Sequence, residues 1–390
     1  MKPSYKAYYS DSDCDLFAIE KLCSQQLDAA DVSLASAVEK NVPIYDAGQL
    51  GPYSADPIKR KQLMAQWSWV IGQGPGVFVI KNAQPDHQAI DQATQVFKSI
   101  IAAEKQGNGG GADHFAAAGA NDRIWNALQK LCLKAPEVFA RYHASPAIHT
   151  AAQAWLGPGY QMTAQVNLVY PGGQPQTAHR DYHLGFQAVE VAAEYPAHVH
   201  LFSPQLTLQG GLAHVDMGIE AGPTKLLPFS QAYAPGYLAY HRADFKDFFE
   251  QHFVQLPLNK GDALFFSPAI FHAAGENRTS DVHRLVNLFQ VSSAYGRAME
   301  AVDRLAMSLS LFQPLVHLAG QGVLDDLGVE AAIASCAEGY SFPTNLDTDP
   351  PVGGLAPRTQ AAVLTQAVAE GWSQDQLARA LTAQRGKMQA

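Results

Sequence analysis

His179-Arg180-Asp181 sets an imidazole and a carboxylate two residues apart. On an extended strand, side chains two apart point to the same face, so this pair stands side by side. Two histidines and one carboxylate make a facial triad that leaves open positions on a metal, the arrangement that suits non-haem Fe(II) and O2 chemistry. The pair supplies two of those three ligands. His183 has the same parity but lies about 13 Å from His179 along an extended strand, too far to share one ion, and is read as a pocket residue. His272 is the better third ligand, because the apolar stretch from Gly261 to Phe271 and its turn would present an imidazole from a distant strand. Past the turn-forming Gly275-Glu276-Asn277 stands Arg284, at the head of a strand expected over Leu285–Val291. A guanidinium there suits a carboxylate held by two parallel hydrogen bonds, as a dicarboxylic cosubstrate requires.

Similar groups elsewhere have plainer readings. His214-Val215-Asp216 repeats the His-x-Asp pattern shortly before the turn at Gly222-Pro223-Thr224 and reads as structural. His198-x-His200 has the spacing of a cupin metal motif, but Pro204 and Gln205 stand where that motif needs a glutamate, so core or pocket packing is expected. Tyr182, Phe186 and Trp155 read as core packing. Arg180 is expected on the alternate face or at the rim, in an ion pair. Gly107-Asn108-Gly109-Gly110-Gly111 follows a helix rather than a strand and lacks a following Lys-Ser/Thr, so it is expected as a mobile loop and not a phosphate cradle.

The elements that must hold these residues are partly legible. Gly74-Pro75-Gly76 leads into Val77–Ile80, a short apolar run that predicts a buried strand. Helical spacing runs from Pro85 to Lys105, then over Asp122–Leu133 and Glu137–Leu156. After Gly157-Pro158-Gly159 the period becomes two: Gln161, Thr163, Gln165 and Asn167 alternate with Met162, Ala164, Val166 and Leu168. Short strand candidates separated by Gly/Pro turns are expected from there to about residue 292. Helices are expected over Leu305–Leu318, Leu324–Ala337 and Thr359–Ala369, and Ser373 with Gln376 is a capping box opening a last one. Strands flanked on both sides by helices predict an α+β chain, with a jelly-roll core buttressed by N- and C-terminal helices.

Composition narrows the partners. Of 390 residues, 47% are hydrophobic and 16% charged, which suits a large folded core and excludes disorder as the default. A net charge of −9 offers no general attraction to nucleic acid or anionic membranes. The basic cluster Lys59-Arg60-Lys61 follows Pro57, where a helix is expected to start, and reads as a solvated face. Four cysteines without C-x-x-C spacing, no signal-like apolar stretch and no run long enough to span a membrane make a cytoplasmic protein the expectation.

Taken together, His179-x-Asp181, the stretch Glu220-Ala-Gly222-Pro223-Thr224-Lys225-Leu-Leu-Pro228-Phe-Ser230, and Gly261-Asp262 through His272, Asn277 and Arg284 resemble the phytanoyl-CoA dioxygenase family in order and spacing. The resemblance covers roughly residues 70 to 295. It implies a double-stranded β-helix in which His179, Asp181 and His272 bind Fe(II), with 2-oxoglutarate and O2 as cosubstrates. It further implies that Arg284 pairs with the far carboxylate of 2-oxoglutarate, and that Thr163, Gln165 and Asn167 line the cosubstrate pocket, Gln165 and Asn167 above all. His272-Ala273-Ala274 departs from the His-x-Ser common in the family, and Ser230-Gln231 from Ser-His. Asp181 keeps the carboxylate that halogenating relatives lack, so the resemblance implies oxygen transfer, with hydroxylation of a small organic molecule and release of succinate and CO2. Residues 1–69 and 296–390 stand outside it as an N-terminal extension and a C-terminal helical region. The latter is expected either to pack on the core or to form a homodimer interface. A cupin-like metal enzyme without 2-oxoglutarate, and a non-catalytic metal-binding barrel, are the alternative readings.

Overall fold

The computed structural model describes residues 6–106 and 120–388, so the loop expected at Gly107–Gly111 lies outside the described residues. Two compact units divide the chain. Among the described residues the first holds 6–83, 120–123 and 167–289, and the second 84–106, 124–166 and 290–388.

The strands are β1 (Ala37–Glu39), β2 (Val42–Asp46), β3 (Val77–Lys81), β4 (Asn121–Ile124), β5 (Gln161–Val169), β6 (Thr207–Ala213), β7 (Lys225–Leu227), β8 (Ala263–Phe266), β9 (Phe271–Ala273) and β10 (Arg284–Ser292). Eight form one mixed sheet in the order β1-β2-β3-β8-β6-β10-β5-β4, and β7 pairs with β9 in a second. β4, β5 and β10 each have residues in both units.

In the first unit, β3 is buried along nearly its whole length between β2, which it meets in parallel, and β8, which it meets antiparallel. That position explains its unbroken Val-Phe-Val-Ile: a strand covered on both faces has no polar side. β6 continues the sheet beyond β8, with Gln209 opposite Phe266 and Gly211 opposite Leu264. In the small sheet Leu226 lies opposite His272. Alternation along β9 sends Phe271 and Ala273 into a core with Tyr233, Phe245 and Phe249, while Ile270 joins a separate core with Val77, Val79, Leu264 and Phe266. His272 shares Ile270's parity, and its ring meets that of Phe266 at 4.8 Å. Full burial of Phe271 is worth roughly 1.5–3 kcal/mol, so the anchor of one face fixes the direction of the other.

The helix Pro57–Gly72 starts where expected. Pro57 occupies its first turn, and the Asp56 carboxylate accepts the amides of Ile58 and Lys59 at 2.8 and 3.2 Å, leaving Lys59 and Lys61 exposed. The stretch between β5 and β10 is not a plain succession of strands. Val189–Ala193, Ala197–Phe202, Gly236–Ala239 and Ala243–His252 are helical, a period that the short apolar runs there did not reveal.

The second unit is mainly helical. His87–Gln106 matches the expected helix, but the Asp122–Leu133 pattern divides into β4 and the helix Ala127–Lys134 at Asn126, whose φ is 53°. Glu137–Leu156 likewise divides into Pro136–Tyr142 and Pro146–Leu156, because Pro146 opens a new helix capped by Ser145. Arg304–Gly320 packs against Ala127–Lys134, Pro136–Tyr142, Asp326–Cys336 and Gln374–Met388. It buries Met307, Leu311, Phe312 and Leu315 completely, so these residues of the C-terminal region find partners within their own unit. The capping box forms, with Ser373 N donating to Gln376 Oε1 at 2.7 Å and Gln376 N to Ser373 Oγ at 3.3 Å. All four cysteines are free, and no helix among the described residues is long and apolar enough to cross a membrane.

Candidate metal centre

His179, Asp181 and His272 offer three ligand atoms that all lie within 4.8 Å of one another, and they form the only such group among the described residues. Backbone pairing brings them together: His179 N donates to His272 O at 3.0 Å and His272 N to His179 O at 3.1 Å. Asp181 N then donates to Pro268 O at 3.1 Å, which seats the carboxylate against the turn before β9.

The hydrogen bonds fix which nitrogen of each ring faces inward. Nδ1 of His179 lies 2.9 Å from Thr177 O, and Nδ1 of His272 lies 3.0 Å from Ile270 O. A carbonyl only accepts, so each Nδ1 carries a proton, and the neutral form of each ring presents Nε2 as a lone pair. Those Nε2 atoms stand 3.6 Å from Asp181 Oδ1 and 3.3 Å from Asp181 Oδ2. Burial, and then the neighbouring His272, hold His179 below the ordinary imidazole range, which favours the neutral ring. Burial works to raise the Asp181 carboxyl, but His179, His272 and Gln209 outweigh it and hold the group well below the usual range. Two lone pairs and a carboxylate facing one another call for a cation between them, so the residues present fit a divalent metal. Side-chain exposure falls from 27% at His179 through 15% at Asp181 to 6% at His272, which puts the approach to the centre on the His179 side.

Gln209 was not singled out in the sequence. Its Nε2 donates to Asp181 Oδ2, restraining the carboxylate from the large sheet. Its polar amide at period two among Leu208, Gly210 and Leu212 was the available signal. Arg284 is 5% exposed, and its Nη1 donates to the carbonyls of Ala221 at 3.1 Å, Gly275 at 3.0 Å, and Gly222. Burial alone pushes its pKa down to about 10. Gly222 has φ +71°, and a Cβ there would meet Glu276 O at 2.2 Å, so only glycine lets that carbonyl reach the guanidinium.

The β5 residues divide between the units. Asn167, in the first, is buried with an Oδ1 that has no hydrogen-bond partner. In the second, Gln165 is buried and the Thr163 hydroxyl donates to Gln290 O at 2.7 Å. Both faces of β5 are buried, so its alternation separates polar from apolar partners rather than solvent from core.

Two expectations near the triad are corrected. Arg180 is neither exposed nor ion-paired: it is 1% exposed and its Nη2 donates to the carbonyls of Ser230 and Tyr233. His183 does not continue an extended strand, because Tyr182 and His183 have φ of 62° and 41° and turn the chain; His183 Nδ1 lies 2.8 Å from Ser203 Oγ. Of the decoys, Asp216 accepts the amide of Lys260 at 2.8 Å, and His200 sits on a helix with Nε2 3.1 Å from Ala192 O.

The family model for phytanoyl-CoA dioxygenase matches residues 73–285, more than half of the chain. The chain belongs to the phytanoyl-CoA dioxygenase family. The three clustered residues and Arg284 all fall inside the matched span, as does Gln209. Among solved structures, the chain is similar to the non-heme alpha ketoglutarate dependent epimerase SnoN from nogalamycin biosynthesis, at 18% identity over 61% of this chain and 84% of that one, with a TM-score of 0.40. It is also similar to the non-heme alpha ketoglutarate dependent carbocyclase SnoK from nogalamycin biosynthesis, at 18% identity over 58% and 83%, with a TM-score of 0.41. No curated protein matches the chain.

Proposed function

We infer that this member of the phytanoyl-CoA dioxygenase family is an Fe(II)- and 2-oxoglutarate-dependent oxygenase that hydroxylates a small organic molecule. The observation that carries the reading is the meeting of two Nε2 lone pairs and one carboxylate within 4.8 Å, approachable from the His179 side. His179, Asp181 and His272 hold the metal in this reading, and three protein ligands leave positions for a cosubstrate and O2. When bound, Fe(II) supplies the coupling of 2-oxoglutarate decarboxylation, giving succinate and CO2, to transfer of the other oxygen atom of O2 into a substrate C–H bond.

The chain's own residues do the rest. Gln209 holds Asp181 by one oxygen, so the carboxylate keeps a fixed orientation. Arg284 supports an anionic cosubstrate, because a buried guanidinium met by carbonyl dipoles rather than a carboxylate gains most from a charged partner. Its donors other than Nη1 are assigned to the far carboxylate of 2-oxoglutarate. The unpartnered Oδ1 of Asn167 supports a donor-bearing ligand beside β5. Gln209 from the large sheet and His272 from the small one flank Asp181, as two walls of a double-stranded β-helix would.

The test is formation of succinate from 2-oxoglutarate by the Fe(II)-loaded full chain, followed by a screen for small molecules that stimulate it. Metal binding without 2-oxoglutarate turnover, with or without candidate substrates, would favour a cupin-like enzyme over this assignment.

A further inference from the structure

Arg180 lies between two of the assigned ligands, and its side chain points away from them. Its guanidinium is buried, with the side chain 1% exposed. Nη2 donates to Ser230 O at 2.6 Å and Tyr233 O at 2.9 Å, and the guanidinium carbon lies 5.0 Å from the Tyr237 ring and 5.1 Å from the Phe271 ring. Phe271 is the residue before His272. Its amide donates to Ser230 Oγ at 2.8 Å, and that hydroxyl donates to Leu227 O at 2.6 Å. Ser230 is therefore held by its carbonyl from the His179–Asp181 segment and by its hydroxyl from the strand that carries His272. The helix Gly236–Ala239 leaves room for this contact only because it begins with glycine: a Cβ on Gly236 would lie 2.0 Å from Arg180 Cζ.

We propose that Arg180 is a positioning residue, a buried brace that fixes the spacing between the His179–Asp181 segment and the Phe271–His272 strand and so sets the affinity of the metal centre. The inference rests on the metal assignment above. Burying a guanidinium costs more than burying an apolar side chain of similar volume, so packing alone does not call for arginine here. What arginine adds is reach and a flat guanidinium whose face rests on the Tyr237 ring while one of its nitrogens, Nη2, holds both carbonyls. Lysine has the charge and lacks that planar group.

Co(II) titration of the metal-free full chain, followed by visible absorption, tests the brace apart from catalysis. Arg180→Met is expected to weaken Co(II) binding by at least about tenfold, the loss typical of removing a group that orients a ligand. Arg180→Lys and Gly236→Ala are expected to weaken it by at least about threefold, with far-UV circular dichroism unchanged. If Arg180→Met does not fold, those two variants decide. Arg304→Met is the control, since Arg304 is a buried guanidinium on the carbonyls of Met162 and Cys336 in the other unit. It should lower Tm and leave Co(II) affinity within about twofold, as a group with no part in ligand positioning would. Wild-type affinity in a folded Arg180→Lys protein would overturn the brace, as would an equal loss of affinity in Arg304→Met. Failure of the wild type itself to bind Co(II), or unchanged binding in His272→Ala, would instead bring down the metal assignment and the brace with it.

Discussion

His179 and His272, far apart in the chain, bond to each other through their backbones in both directions, at 3.0 and 3.1 Å. Direct exchange of amide and carbonyl makes them neighbours through the backbone alone. The centre is thus preorganised by peptide groups, and removing one imidazole need not unfold its surroundings.

That separates metal loss from unfolding. His179→Ala, Asp181→Ala and His272→Ala should each abolish 2-oxoglutarate turnover. The His179 variant should keep a Tm within a few degrees of wild type, because its side chain is the most exposed of the three. Metal content by elemental analysis, read beside circular dichroism, checks this; full turnover in Asp181→Ala would remove that residue from the ligand set.

Gln209→Leu keeps the volume and loses the amide that restrains Asp181. The expected result is a metal affinity lower by about 10–100-fold, the usual loss when a ligand's hydrogen-bond partner is removed. Isothermal titration with Fe(II) under anaerobic conditions measures it, and an unchanged affinity would make the contact incidental.

Arg284→Lys keeps the charge but loses the planar fork. KM for 2-oxoglutarate should rise at least about tenfold, since a charge-assisted hydrogen bond is worth roughly 1.5–3 kcal/mol and about 1.4 kcal/mol is tenfold. Because Nη1 also holds the carbonyls of Ala221, Gly222 and Gly275, Tm should fall in the same variant. A lower Tm with unchanged KM would make Arg284 a clamp for these loops and place the cosubstrate anchor elsewhere.

His143 gives a pH dependence outside the metal centre. Burial beside Phe139 and Tyr142 pushes its pKa down to about 3, from an ordinary 6.5. Below pH 6.5 the unfolded chain takes up a proton that the folded chain refuses, so the second unit loses stability as pH falls from 6.5 toward about 3. The slope from this one group approaches about 1.4 kcal/mol per pH unit. His143→Phe should flatten that acid limb in chemical denaturation at several pH values; an unaltered slope would exclude His143 as its source.

Deleting residues 298–390 removes the fully buried Met307, Leu311, Phe312 and Leu315 from their partners in the second unit. The shortened chain should be insoluble, because the helices Ala127–Lys134 and Pro136–Tyr142 lose their cover. A soluble monomer obtained from a wild-type dimer would assign the region to an interface instead.

The legible parts of this protein are those whose signal is local. β3 is an unbroken apolar run between turn residues, β5 and the helix Arg304–Gly320 each carry their own period, and His179 with Asp181 needed only strand parity to be paired. His272 required an apolar run ending in a turn. What escaped depends on distant partners: Gln209 matters because β6 meets Asp181, and Arg180 is buried because Ser230, Tyr233 and Gly236 offer carbonyls and space about fifty residues later. Tyr182 and His183 escaped for another reason. Tyrosine rarely adopts a positive φ, and histidine, though commoner there, does not mark a turn by itself, so the turn that ends the extended segment had no clear sign in the sequence.

Both histidine rings are aimed by the carbonyl two residues before them, Thr177 O for His179 and Ile270 O for His272. That restraint travels with the peptide and needs no neighbouring side chain. Residues around the centre other than Gln209, Arg180 and Arg284 can therefore be exchanged without turning either imidazole away from it. A library that randomises only those residues would begin every member with the same arrangement of His179, Asp181 and His272, and selection would act on which molecule is admitted.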